Sequence, residues 1–257
     1  MLTISAIPAF NDNYIWLLQA AHAPLATVVD PGDAGPVIER LDADGLTLTD
    51  ILVTHHHGDH VGGITRLLER WPQAQVHGPA GERIPACGHA LREGDEVSPE
   101  GLDQSFTVID VPGHTAGHIA YHGGGVLFCG DTLFAGGCGR VFEGTHAQMH
   151  QSLGKLAALP PETLVYCAHE YTQSNLRFAG AVEPDNPALL ARIETVAALR
   201  TAGKPTVPSS LADELATNPF LRSAESSVRK AAEQRAGRRL GNPVDVFATI
   251  RRWKDAA

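Results

Sequence analysis

Apolar and polar positions along this chain follow two regimes. Up to about residue 174, short β-branched apolar runs alternate with glycine-rich turns, the signature of strands. The pattern predicts strands at Tyr14–Leu18, Ala26–Asp30, Asp50–Thr54, Gln75–Gly78, Phe106–Val111, Gly125–Gly130 and Thr163–Ala168. Helical periodicity interrupts them at "GGITRLLERW" and "MHQSLGKLAAL", so the first part reads as an α/β body whose sheets are covered by helices. Beyond it the spacing becomes helical throughout. "NPALLARIETVAALR" places Leu189, Leu190, Ile193, Val196 and Ala197 on one face, behind a proline in its first turn. "SSVRKAAEQRAG" and "NPVDVFATIRRWKDAA" follow, the last with Asn242 as N-cap and Pro243 at the first helical position. The predicted organisation is a body over 1–174 and a helical annex over 175–257, joined near "AVEPDNP".

Composition narrows the function classes. With 43% hydrophobic and 19% charged residues over 257 positions, the chain can bury a full core. No apolar run approaches the roughly 20 residues of a membrane span, and the start "MLTISAIPAFNDNY" lacks a basic n-region and a long apolar h-region. A cytoplasmic, membrane-free monomer is the expectation. Cys87, Cys129, Cys138 and Cys167 form no C-x-x-C pair, so reduced thiols are expected, Cys129 and Cys167 as small core residues. The net charge of −9 argues against nucleic-acid binding, but it is unevenly spread. From Arg222 onward there are nine Lys/Arg and four Asp/Glu, a balance of +5 on an otherwise acidic chain. Solvated helix faces or a small anionic ligand would each explain that.

Candidate chemistry sits directly after four of the predicted strands. "DILVT" runs into His55-His56-His57-Gly58-Asp59-His60, "FTVIDV" into "PGHTAGH" with His114, "GVLFCG" into Asp131, and "TLVYCA" into His169. Strand ends held by a rigid scaffold are where converging ligands are usefully placed. Residues two apart in an extended segment point the same way, so His55 and His57 can grip one ion while His56 points elsewhere. Gly58 permits a turn, after which Asp59 and His60 project from the start of the next helix toward a second position. Imidazole and carboxylate suit zinc, and also iron or manganese; two ions about 3.5–4 Å apart can share a carboxylate. Any one of these side chains alone reads as a turn residue or a satisfied core histidine. His22, His77, His89, His122, His146 and His150 are given no role, and His118 reads equally as a support for a ligand or as a structural hydrogen-bonding residue.

H-x-H-x-D-H followed by "PGHTAGH", "CGDTLF" and "AHEYT" resembles the metallo-β-lactamase superfamily, and the whole chain is most similar to its glyoxalase II branch. "IPAFNDNYIWLL", "GDTLFAGGCGRVFEGT", "ATNPFLR" and "IRRWKD" carry the closer likeness. The resemblance implies an αββα sandwich with a C-terminal helical domain that binds glutathione. It implies one metal on His55, His57 and His114, a second on Asp59, His60 and His169, and Asp131 between them, with two divalent ions, zinc foremost. Asp59 would also orient the attacking hydroxide. Substrate contacts carried over from the same relatives fall on Arg140, Tyr171, Arg251 and Lys254. Those relatives have lysine and tyrosine where this chain has Arg140 and Phe142. Arginine keeps the charge and can pair a carboxylate with two donors, whereas Phe142 lacks the hydroxyl.

The implied activity is hydrolysis of S-(2-hydroxyacyl)glutathione, such as S-D-lactoylglutathione, the second step of methylglyoxal detoxification. A thiol leaving group of pKa roughly 8.5 departs without a strong general acid, and no G-x-S-x-G elbow offers a serine nucleophile. The rival on the same scaffold is an iron-dependent persulfide dioxygenase or another thioesterase; the dioxygenase would not need the helical annex. A non-catalytic metal protein, a lactamase and a nuclease fit the residues less well.

Overall fold

The computed structural model describes residues 2–21 and 23–257, so His22 lies outside the described residues. The chain forms two compact units, Met1–Asp110 with Thr115–Gly130, and Val111–His114 with Asp131–Ala257.

The first unit opens with strands β1 (Leu2–Ala9), β2 (Asn13–Ala20) and β3 (Leu25–Val29), then helix α1 (Ala34–Asp44) and strand β4 (Thr47–Leu52). Helices α2 (Gly58–Val61) and α3 (Ile64–Arg70) lead to strands β5 (Gln75–Pro79) and β6 (His89–Leu91). These six strands form one sheet in sequence order. The pairings β1–β2 and β2–β3 are antiparallel, while β3–β4, β4–β5 and β5–β6 are parallel. Four more strands, β7 (Glu96–Val97), β8 (Phe106–Asp110), β9 (Ile119–Gly123) and β10 (Val126–Gly130), pair antiparallel in order.

Alternation explains why the strands of the first sheet read as almost unbroken apolar runs. Ile15, Leu17, Ile51 and Val53 join Val37 and Leu41 of α1 and Ile64 and Leu67 of α3 in one buried cluster. Trp16, Leu18 and Leu52, one residue out of phase, are buried as well, so both faces of the sheet are covered. Tyr121 of β9 donates its hydroxyl to the Val53 carbonyl at 2.8 Å, and Ile119 N–H donates to the Thr54 carbonyl at 3.0 Å. These bonds tie β9 to the end of β4, where the histidine-rich segment begins.

The second unit contains the hairpin β11 (Leu133–Phe134) and β12 (Gly137–Cys138), helix α4 (His146–Ala157), strand β13 (Leu164–Cys167) and helix α5 (Thr172–Val182). Helix α6 (Pro187–Thr201), strand β14 (Ser209–Ser210) and helices α7 (Leu211–Thr217), α8 (Ser226–Ala236) and α9 (Pro243–Asp255) complete it. The helix starts have local causes. Asn186 caps α6 by accepting from Ala188 and Leu189 N–H, and Asn242 caps α9 by accepting from Asp245 N–H, each ahead of a proline that needs no hydrogen bond there. Thr145 and Ser210 form capping boxes with Gln148 and Asp213.

Glu214, fully buried on α7, fastens this unit internally. Its carboxylate accepts from Gly136 N–H at 2.8 Å, Ser209 Oγ at 2.7 Å, Asn218 Nδ2 at 3.0 Å and Arg192 Nη2 at 2.5 Å. Every such bond shares the burden of holding a charge away from water. Asn218 Nδ2 also donates to the Gly137 carbonyl at 2.9 Å, so the β11–β12 hairpin is anchored at two points.

The cysteines form no disulfide among the described residues, and Cys129, Cys138 and Cys167 are buried; burial pushes the Cys167 thiol up to about 12. No helix among the described residues is long and apolar enough to cross a membrane.

Candidate functional site

In the first unit the segment after β4 is braced from several sides. Asp30 adopts φ 53°, a left-handed conformation uncommon for a residue with a side chain. Its carboxylate accepts from Thr54 N–H at 2.8 Å and Thr54 Oγ at 2.7 Å. The Thr54 hydroxyl lies 3.1 Å from His55 Nδ1, which leaves His55 Nε2 directed at His57 Nδ1, 3.1 Å away. His56 does point elsewhere: its backbone N–H donates to Glu82 at 2.6 Å and its Nδ1 lies 2.9 Å from the same oxygen. Glu82 also accepts from Gly117 N–H at 3.0 Å and from the Thr115 hydroxyl, so one buried carboxylate holds two loops.

The short helix α2 begins at Gly58 and delivers Asp59 and His60 within its first turn. His60 is fully buried, with Nδ1 3.1 Å from Asp30 and Nε2 3.6 Å from Asp59. Asn13, at the start of β2, donates its side-chain amide to Asp59 Oδ2 at 3.1 Å. Backbone crowding sets this corner, since a Cβ at Gly32 would lie 1.9 Å from the Asp59 carbonyl. His118 Nδ1 lies 2.9 Å from the Ile119 carbonyl, and its ring stacks on His55 with centres 4.5 Å apart.

The second unit holds the other three candidate ligands. Asp131 presents one carboxylate oxygen to each of two histidines, Oδ2 to His114 Nε2 at 3.5 Å and Oδ1 to His169 Nε2 at 3.3 Å. His114 Nδ1 donates to the Arg140 carbonyl at 2.8 Å, which fixes the tautomer and turns Nε2 toward Asp131. Gly139 makes this approach feasible, because a Cβ there would lie 1.9 Å from the Asp131 carbonyl and 3.1 Å from His114 Nδ1.

A cavity of about 490 Å³ opens beside this trio, within the size range of small-molecule sites. Arg140, Phe142, Tyr171, Arg251 and Lys254 all line it, together with His114 and Asp131. Tyr171 stacks flat on His169, with ring centres 4.7 Å apart. Arg251 is buried, donates to the Cys138 carbonyl at 2.8 Å and lies over the Phe220 ring at 4.9 Å. Lys254 bonds to the Asn175 side-chain oxygen. Burial, and then the nearby Arg251 charge, lower the Lys254 ammonium to about 8. Phe142 is largely exposed, with its ring 5.2 Å from that of His114.

The donor set in each unit fits divalent ions. Imidazole nitrogens and carboxylate oxygens lie within about one ligand-to-ligand spacing, and the far nitrogens of His55 and His114 are engaged by Thr54 and by the Arg140 carbonyl. That is the support metal-binding histidines require.

A model of the metallo-beta-lactamase superfamily matches residues 12–169, and a model of the hydroxyacylglutathione hydrolase C-terminus matches residues 170–257. The chain is 58% identical to a hydroxyacylglutathione hydrolase of Aeromonas salmonicida and 59% identical to one of Alkalilimnicola ehrlichii, covering 99% of both chains in each case. The chain belongs to the hydroxyacylglutathione hydrolase family. Its fold is accordingly the metallo-β-lactamase fold with mixed sheets and a helical C-terminal region, as the resemblance implied. Among solved structures it is similar to ETHE1 from Myxococcus xanthus, with 26% identity, a TM-score of 0.66 and coverage of 100% of this chain and 99% of that one. It is also similar to TTHA1623 in a di-iron-bound form, with 28% identity, a TM-score of 0.52 and coverage of 65% of this chain and 91% of the other.

Asp30, Glu82, Asn13 and Asn175 were not singled out from the sequence of this family member. Their roles rest on contacts between distant segments, and a lone Asp, Glu or Asn carries no local signal for that. Asp30 is the partial exception, since it ends a predicted strand immediately before "PGD".

Proposed function

We propose that the protein hydrolyses S-(2-hydroxyacyl)glutathione thioesters to glutathione and a 2-hydroxy acid, as a metal-dependent thioester hydrolase. The observation that carries this reading is the cavity lined by Arg140, Tyr171, Arg251 and Lys254 beside His114 and Asp131, in a chain of this family. Three cationic side chains around it suit the carboxylates of a glutathione moiety. The relatives named hydroxyacylglutathione hydrolase support the acyl specificity, and the C-terminal match disfavours the persulfide dioxygenase alternative.

In this reading His55, His57 and His114 would hold one divalent ion and Asp59, His60 and His169 a second, with Asp131, which faces both His114 and His169, shared between them. Zinc leads, with iron supported by the di-iron form of TTHA1623, and manganese compatible with the donors. Such ions supply acidified water near neutral pH and positive charge for a carbonyl oxygen. Asp59, held through Oδ2 by Asn13, orients the attacking water. Arg251 and Lys254 anchor the tripeptide so that the thioester is presented to the metal ligands, a positioning effect. Phe142 and Tyr171 give the bound molecule an apolar wall. Functionally, residues 1–174 supply the metal chemistry and residues 175–257 the grip on glutathione. The reaction would be the second step of methylglyoxal detoxification in the cytoplasm.

The test is to purify the protein, count metal ions per chain and assay glutathione release from S-D-lactoylglutathione. About two ions and saturable release are expected; a fully loaded protein inert toward that thioester refutes the reading.

A further inference from the structure

The last turn of α9 places a carboxylate against the cations that line the cavity. Asp255 Oδ1 lies 3.0 Å from Arg251 Nη2 and 3.9 Å from Arg140 Nε. The Arg251 member of this triad is buried, with a side-chain exposure of 3%, whereas Asp255 is 38% exposed. An exposed (i, i+4) pair on a helix would ordinarily be surface decoration contributing little. This one differs, because both of its cationic partners face the cavity and one of them is desolvated.

Arg251 donates from Nη1 to the Cys138 carbonyl and sulfur, and its Nη2 forms an ion pair with Asp255. The first, to Cys138, is retained whatever binds. The second is the face that an incoming carboxylate would use, since a guanidinium pairs carboxylates through its Nη groups. Arg140 reaches the same Asp255 oxygen from the segment after β12.

We infer that Asp255 is an internal stand-in for a substrate carboxylate: it pairs with the Arg140 and Arg251 guanidiniums and is displaced when a glutathione carboxylate arrives. This rests on the proposed glutathione chemistry of the cavity. The consequence is a deliberate weakening of binding. Each substrate molecule exchanges one ion pair for another rather than forming a new one, so affinity for tripeptide carboxylates is held below what three cations alone would give. Product glutathione, which carries the same carboxylates, is weakened equally, and its release is eased.

The experiment compares wild-type protein with Asp255→Asn and Asp255→Ala at pH 6.5 and low salt. That pH lies below the point where Lys254 loses its proton; the charged or ionisable groups acting on that lysine are Arg251, Cys138, Asp255 and Arg140. Titration calorimetry reads the Kd of glutathione, and steady-state kinetics reads KM for S-D-lactoylglutathione. Both variants are expected to tighten Kd and lower KM by roughly three- to tenfold, the scale of a released ion pair, with the change in KM rather than kcat. A lactoyl thioester of N-acetylcysteamine, which has no carboxylate, is expected to show no such gain. Removing Asp255 also takes away a charge that favours the Lys254 ammonium, so the alkaline rise of KM should move to lower pH in both variants. Unchanged or weakened glutathione binding in the two variants overturns the inference. The two readings fail separately: tighter glutathione binding without turnover removes only the hydrolase assignment, and turnover with unaltered Kd removes only the stand-in. Wild-type protein that neither binds glutathione nor releases it from S-D-lactoylglutathione refutes both.

Discussion

The Nδ1 of His114 donates a hydrogen bond to the backbone carbonyl of Arg140 at 2.8 Å. A candidate metal ligand is thereby oriented by main chain from the segment whose side chain lines the substrate cavity. The two functions of Arg140 should separate by mutation. Arg140→Ala keeps the carbonyl, so metal content is expected to be unchanged while KM rises. Gly139→Ala, whose new methyl would sit 1.9 Å from the Asp131 carbonyl, must shift that backbone. Metal affinity should fall about 10- to 100-fold, measured by competition with a chelator; retention of both ions at wild-type affinity would refute the role given to this carbonyl.

Asp30 faces His60 Nδ1 at 3.1 Å while its oxygens also accept from Thr54. Asp30→Asn is expected to weaken the orientation of His60 and lower metal affinity by about 10- to 100-fold. Loss of one ion per chain on dialysis, with the circular dichroism spectrum preserved, is the result sought. Full metal retention would mean that Asp30 serves only the Thr54 turn.

The resemblance read from the sequence implies tyrosine where this chain has Phe142, whose ring stands at the cavity wall beside His114. Adding a hydroxyl by Phe142→Tyr should lower KM two- to tenfold, the range of one net hydrogen bond of roughly 0.5–1.5 kcal/mol, with little change in kcat. A large fall in kcat would show that the ring has another task.

Lys254, lowered to about 8 from 10.5 by burial, is expected to set the alkaline limit of binding if it holds a substrate carboxylate. Its ammonium pairs a carboxylate only when protonated, so KM should rise as pH passes about 8. Lys254→Arg should remove that rise, because arginine stays charged. Stability has the opposite trend. Between about 8 and 10.5 the unfolded chain holds a proton that the folded chain lacks, so folding gains with pH in that window and is flat below it. At pH 7, Arg251→Ala and Lys254→Ala should each reduce kcat/KM; unchanged kinetics in folded protein would reject the substrate role of α9.

The ligand-bearing elements were legible because their chemistry is local in the sequence. The strand at Asp50–Thr54 and the H-x-H spacing after it predict that His55 and His57 share a side while His56 turns away. The structure shows this, with His56 on Glu82. The Asn-Pro starts of α6 and α9 were legible for the same reason. Strand β1 was not, because the apolar phase slips between Ala6 and Ile7, Pro8 interrupts it, and only Ile7 and Ala9 are buried. Its existence depends on eight register pairs with β2, a partner no single-segment pattern reveals. Helix α1 had readable signals, Asp33 as cap and Val37, Ile38 and Leu41 on one face, but these were masked by the glycines and proline at its start. Asp255 was invisible as anything but a helix-end charge until Arg140 and Arg251 were found on either side of it.

Glu214 has a consequence for how the second unit breathes. Its buried carboxylate accepts from Gly136 N–H as well as from Ser209, Asn218 and Arg192, so peeling the β11–β12 hairpin away would take one donor from a carboxylate that stays buried beside the other three. Losing a hydrogen bond to a buried charged group costs about 1.5–3 kcal/mol. The Gly136 amide should therefore be among the slower amides of the unit to exchange its hydrogen for deuterium, and the hairpin wall of the cavity among the later parts to open.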